Sequence, residues 1–191
     1  MTSLVAGLII FFGVHSISIV NDSWRSRMVA RIGEWPWKAA YALVAVIGLV
    51  LIVHGYAAAR SAPLLLYSPP EWLHYLALAL LLPVFPLLLA AYLPGRIQTT
   101  TRHPMLAATK LWATAHLLVN GTLADLLLFG GFLVWAVADR VSLQRRTPLS
   151  TPSAPASRFN DVIAVLAGLA LYMAFVLGAH TWLIGVPALA S

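Results

Sequence analysis

Residues 39–59 read AAYALVAVIGLVLIVHGYAAA, a run with no charged side chain and a single histidine, His54. A helix rises 1.5 Å per residue, so about 20 apolar residues cross the roughly 30 Å hydrocarbon core of a bilayer. The stretch therefore predicts a transmembrane helix. Working outward, five further runs read the same way: Leu4–Val20, Trp72–Leu93, Pro104–Val119, Leu123–Ala138 and Val162–Ile184. The fourth and fifth spans in chain order are short, and Asn120-Gly121-Thr122 separates them. That tripeptide is a tight-turn signal, so these two helices are expected to form an antiparallel hairpin. The expected fold class is all-α: one domain over residues 1–191, a polytopic membrane bundle of about six transmembrane helices.

Composition supports the same class. Hydrophobic residues make up 61% of the 191 positions and charged residues only 9%. A soluble domain carries roughly 25% charged residues. With a mean hydropathy of +0.87, lipid must solvate much of this chain. The net charge of +6 would suggest nucleic acid in a soluble protein, but here the charges fall in short segments between apolar runs, and no nucleic-acid partner is expected. There is no cysteine, which excludes disulfides, thiolate metal sites, a nucleophilic thiol and covalent haem attachment.

The basic residues orient the bundle. Arg25, Arg27, Arg31 and Lys38 follow the first run, Arg96 and Arg102 the third, and Arg140, Arg145, Arg146 and Arg158 the fifth. Only Arg60 and the intrahelical Lys110 lie elsewhere. The positive-inside rule then places both termini outside and these three loops in the cytoplasm, as in a multi-pass protein of the bacterial inner (cytoplasmic) membrane. Residues 1–20 hold no Lys or Arg, so they are expected to be a retained first span rather than a cleaved signal. The Pro/Ser-rich stretch of about 147–157 is expected to be a mobile cytoplasmic linker. Pro83 and Pro86 fall inside the third span and predict a kink.

Histidine placement is the chemical signal. His15, His54, His116 and His180 lie inside apolar runs, where ionisable groups are costly and face a partner or a ligand. His74 sits at the start of the third span. The segment Thr101-Arg102-His103-Pro104 opens the fourth: Pro104 suits a first helical turn, and Arg102 and His103 beside a helix N-terminus make a candidate anion site for phosphate, carboxylate or haem propionate. His103 and His116 are thirteen residues apart on one helix, roughly 20 Å. Two axial nitrogens on one iron stand about 4 Å apart, so these two cannot share an iron. In the six-span scheme His54 and His180 lie nearer in depth to His116 than His15 does, which keeps them as second ligand candidates.

Phe12-Gly13-Val14-His15-Ser16, the stretch Arg102-His103-Pro104…Leu111-Trp112-Ala113-Thr114-Ala115-His116 with Asn120-Gly121, and Ala179-His180 resemble the NnrU family over essentially the whole chain. NnrU-like proteins are small bacterial membrane proteins named from genes linked to denitrification, and the family is homologous to plant zeta-carotene isomerase, a membrane enzyme that uses haem b. The resemblance implies haem b as cofactor, with His15 and His116 as the iron ligands. His54 falls near a third histidine of that enzyme. Arg102, His103 and Trp112 join the implied cofactor-binding set. A redox, nitric-oxide-related or polyene cis-trans isomerase role on a lipophilic substrate in the membrane lipid follows from the same resemblance. Where the plant enzyme carries a cysteine linked to ligand exchange, this chain has Ala113, so a thiolate switch is impossible here.

Three other function classes compete. An R-H-P segment at a helix start also occurs in membrane methyltransferases that use S-adenosylmethionine. After His116, however, the only acidic residues are Asp125, Asp139 and Asp161, and the acidic machinery of those enzymes is missing. A non-enzymatic regulatory subunit is a second alternative. A copper or zinc site built from His54, His116 and His180 is a third.

Overall fold

The computed structural model describes residues 1–146 and 153–189. Among them every regular element is helical, with one isolated antiparallel bridge between Leu65 and Thr122. In chain order the helices are α1 (Thr2–His15), α2 (Ile17–Ile32), α3 (Glu34–Ser61), α4 (Leu73–Leu81), α5 (Val84–Ala90), α6 (Arg96–Thr101), α7 (Pro104–Val119), α8 (Leu123–Ser142), α9 (Asn160–Ala174) and α10 (His180–Ile184). A π-helical turn, Phe175–Ala179, joins the last two. Among the described residues three stretches are each long and apolar enough to cross a membrane: Glu34–Ser61, Leu73–Ala90 and Asn160–Ile184. The bent pair α1–α2 brings the number to four. The remaining two runs became α7, of 16 residues, and α8, whose 20 residues include Asp125, Asp139 and Arg140.

The chain forms two compact units. Met1–Tyr67 with Gly121–Pro148 make the first, and Ser68–Asn120 with Leu149–Ser191 make the second. The Asn120–Gly121 turn is the boundary between them, so α7 and α8 belong to different units.

Close backbone packing holds the first unit. Gly48, Ile52, Gly55 and Ala59 lie at i, i+4, i+7 and i+11 and form the buried stripe of α3. Leu4, Gly7 and Leu8 are the buried residues of α1. A Cβ added at Gly48 would sit 2.9 Å from the backbone nitrogen of Phe11, and one at Gly7 would sit 2.6 Å from that of Ile52. Gly55 faces the backbone of Leu4. The helices are therefore antiparallel, with main chain against main chain, the contact that small residues permit between membrane helices.

The first apolar run does not continue straight. α1 ends at His15, and α2 leaves it at an angle of 51°. The sequence placed Arg25, Arg27 and Arg31 in a loop, yet all three are helical. Asn21, with φ −153° and ψ 77°, interrupts α2, and its Oδ1 accepts from the Trp24 backbone N–H at 2.9 Å. A capping side chain thus restarts the helix where a loop was expected.

In the second unit the two prolines fall at a helix start. Pro83 is the N-cap of α5 and Pro86 lies in its first turn, where neither removes an internal hydrogen bond. Pro86 packs on Gly168 of α9, where an added Cβ would lie 2.6 Å from the proline ring. The expected break in the third span is present between α4 and α5. Of the expected linker, residues 147–152 lie outside the described residues. Its remainder is tethered: Ala154 N–H donates to Tyr92 O at 2.9 Å, and buried Asn160 donates to Pro94 O and Pro155 O at 2.8 and 3.1 Å.

Replacing Gly48 by Leu should destabilise the protein by roughly 1–3 kcal/mol, because its neighbour is backbone and cannot step aside. Gly13→Leu should have little effect, since nothing lies within 4 Å of a Cβ there. Thermal unfolding of the two variants in the same detergent checks the contrast.

Candidate functional site

His15 ends α1, and its surroundings are aromatic. Its Nδ1 donates to Phe11 O at 2.7 Å, four residues back along the helix. The Phe11 ring stacks on the imidazole at 4.1 Å, while Tyr41 and Trp135 meet it edge-on at 5.2 and 5.8 Å. α8 supplies Trp135 together with Phe132, which also contacts Phe11 and Phe12. The Trp135 indole N–H is buried and has no acceptor among the described residues. No local feature of the sequence marks Trp135 out; only the packing of α8 against α1 brings it beside His15.

His54 does not join this cage. His15 sits against Tyr41, thirteen residues before His54 on α3, which is roughly 20 Å along the axis. His54 is instead exposed on the surface of its unit.

In the second unit His116 occupies the last turn of α7. Its Nδ1 donates to Trp112 O at 2.9 Å, and the Trp112 ring lies 5.2 Å away. The Asn120 side chain and backbone N–H both bond the His116 carbonyl at 2.9 Å, which fixes the end of the helix. His180 lies 6.5 Å from His116, ring centre to ring centre. Two features position it: the π-helical turn immediately before it, and Gly185, whose φ of +80° turns the chain so that Val186 O accepts from His180 Nδ1 at 2.7 Å. Ala113, three positions before His116, is fully buried.

A carbonyl only accepts, so in each of these three histidines Nδ1 carries the proton and the ring lone pair lies on Nε2. Anchoring one ring nitrogen to a backbone carbonyl is how metal-ligating histidines are held in tautomer and orientation. Among the described residues no group of three or more His, Asp or Glu side chains is gathered for a metal ion.

Arg102 and His103 stand where the sequence placed them, with His103 as N-cap and Pro104 as first residue of α7. Arg102 is exposed and has φ +60°, unusual for a residue with a side chain. The helix before it is capped from a distance: Asp161 of α9 accepts from Arg96 N and Ile97 N at 2.8 and 3.1 Å. His74 stands at the start of α4, and its Nδ1 is buried without a partner among the described residues.

With this geometry in hand, the family model described as NnrU protein matches residues 3–188. The chain belongs to the NnrU family. That match runs through both compact units of this NnrU chain and takes in all six histidines. Comparison with curated proteins and with solved structures gives no significant match. Apolar helices and NnrU membership together fit a membrane protein.

Asp161→Ala should cost about 1 kcal/mol, as for other lost caps, and loosen the segment that leads to Arg102. Hydrogen exchange of the residue 96–101 amides, compared with those of α8 in the same sample, checks it.

Proposed function

We propose that this NnrU protein is a six-span protein of the bacterial inner membrane, with both termini outside, that binds haem b through His15 and His116. Haem, when bound, supplies an iron centre for redox, nitric-oxide or polyene isomerisation chemistry on a lipophilic substrate. The observation that carries the reading is the shared build of the two histidines: each donates Nδ1–H to the carbonyl four residues back, at 2.7 Å for His15 and 2.9 Å for His116. Each is thereby prepared to offer Nε2 to a metal.

The surrounding groups fit a flat apolar cofactor. Phe11, Tyr41 and Trp135 enclose His15, and the unsatisfied Trp135 N–H is a donor that a bound group would satisfy. Buried donors without partners are rare in native proteins and call for such an explanation. Arg102 and His103 are the candidates for the propionates.

His180 is the alternative ligand. It shares the anchored Nδ1 and lies 6.5 Å from His116. His116 and His180 would then be the pair of side chains to hold the group.

Absorption spectra of detergent-purified protein, oxidised and reduced, test the reading. Wild type should show a Soret band that collapses or shifts in His15→Ala and His116→Ala. Retention of the band in His15→Ala with its loss in His180→Ala moves the second ligand to His180. A featureless wild-type spectrum after haem-supplemented expression overturns haem binding.

A further inference from the structure

A cavity of about 360 Å³ in the first unit lies between the start of α2 and the end of α8, beginning one helical turn beyond His15 and Trp135. Its position follows from sequence. In α2 the apolar run stops at Val20, and the first charged residue is Asp22. In α8 the apolar run stops at Ala138, and charge begins at Asp139 and Arg140. The cavity therefore straddles the boundary between the apolar and charged zones of both helices. Ser18, Ile19 and Ala138 line it from the apolar side of that boundary, and Asp22, Val141, Ser142, Arg145 and Arg146 from the charged side.

The charges on its walls are not mutually satisfied. Arg146 is occupied: it is ion-paired with Asp139, and its Nε donates to Ser142 at 3.1 Å. Asp22 Oδ1 is buried and has no hydrogen-bond partner among the described residues. Arg145 is exposed, and no ion pair is formed by it among the described residues. One anionic and one cationic group thus remain, too far apart to bond each other. A buried carboxylate oxygen left unpaired is expensive, so a cationic donor in the cavity would be favoured there.

A plain anion such as phosphate or a carboxylate would suit Arg145 but would meet the unpaired Asp22 carboxylate. A simple cation would suit Asp22 but not Arg145. A zwitterion with a primary ammonium and a phosphate satisfies both, with the Ser18 hydroxyl as a further donor to the phosphate. Carrying such a group at an apolar boundary, with Ile19 and Val141 beside it, is the property of a phospholipid.

We propose that this cavity is a specific site for the headgroup of an amine-bearing zwitterionic phospholipid, with Asp22 holding the ammonium and Arg145 the phosphate. The positive-inside pattern assigns this end of both helices to the cytoplasmic leaflet. The site does not depend on haem being bound.

Native mass spectrometry of the full chain, titrated with phosphatidylethanolamine, phosphatidylglycerol and phosphatidylcholine of matched acyl chains, tests the proposal. Wild type should retain phosphatidylethanolamine about tenfold more tightly than either competitor, the value of one charge-assisted hydrogen bond. Phosphatidylcholine should be weak because its quaternary ammonium has no N–H to donate. Asp22→Asn should erase the preference for the amine, Asp22→Glu should restore part of it, and Arg145→Gln should weaken both phosphatidylethanolamine and phosphatidylglycerol. Arg27→Gln, outside the cavity, should behave as wild type. Equal retention of the three lipids by wild type overturns the proposal without any variant, so misfolding of a mutant cannot rescue it. Binding of free phosphoethanolamine as tight as that of the lipid would overturn the assignment to a membrane lipid.

Discussion

The contact between α1 and α3 is the constraint on which the rest of the first unit depends. Two helices in lipid gain nothing from burying leucines against each other that lipid tails would not also give. They gain from approach, and approach is limited by Cβ atoms. Gly48 and Gly55 on α3, with Gly7 on α1, remove those atoms along one line. The register this sets carries the end of α1 to Tyr41, which is why His15 lands in an aromatic cage and His54, further along the same helix, does not. The chemistry offered by one imidazole is thus decided by glycines several turns away.

A second constraint works through buried polar groups. Asp125, only 5% exposed, accepts from Tyr56 at 2.5 Å while closing a capping box with Thr122 at the start of α8. The same end of the helix is tied to the strap after α3 by Leu66 N–H to Gly121 O and Leu123 N–H to Leu64 O. In an apolar surrounding each of these groups would be costly alone. Together they fix where α8 begins, and so which of its residues, Phe132 and Trp135 among them, come up beside His15.

Much of this was legible in the sequence, and the reason is local. Apolar runs become helices in lipid because the backbone has no other way to satisfy itself there. Accordingly the six runs are helical, the prolines interrupt the third, and Pro104 begins α7 behind His103. The sequence left other features out because they rest on partners distant along the chain. The bend after His15 and the helical continuation through Arg25, Arg27 and Arg31 depend on Asn21 turning its side chain to Trp24. The π-helical turn before His180, the Asp161 cap on α6 and the buried Trp135 N–H have no periodic signature. Of the candidate site, the identity of the histidines was readable, whereas the approach of His180 to His116 required coordinates.

The discontinuous first unit also has a meaning in time. Domains form as they emerge from the ribosome, N-terminal parts first. Here α1–α3 emerge early, but the unit is completed only by α8, after α4–α7 have been made. Tyr56 must wait for an aspartate 69 residues downstream. During that interval the phenol and the aromatic flank of His15 lack their α8 partners. The glycine seam between α1 and α3 can close without α8, which makes it a natural holding point for a nascent chain whose second half is still being inserted.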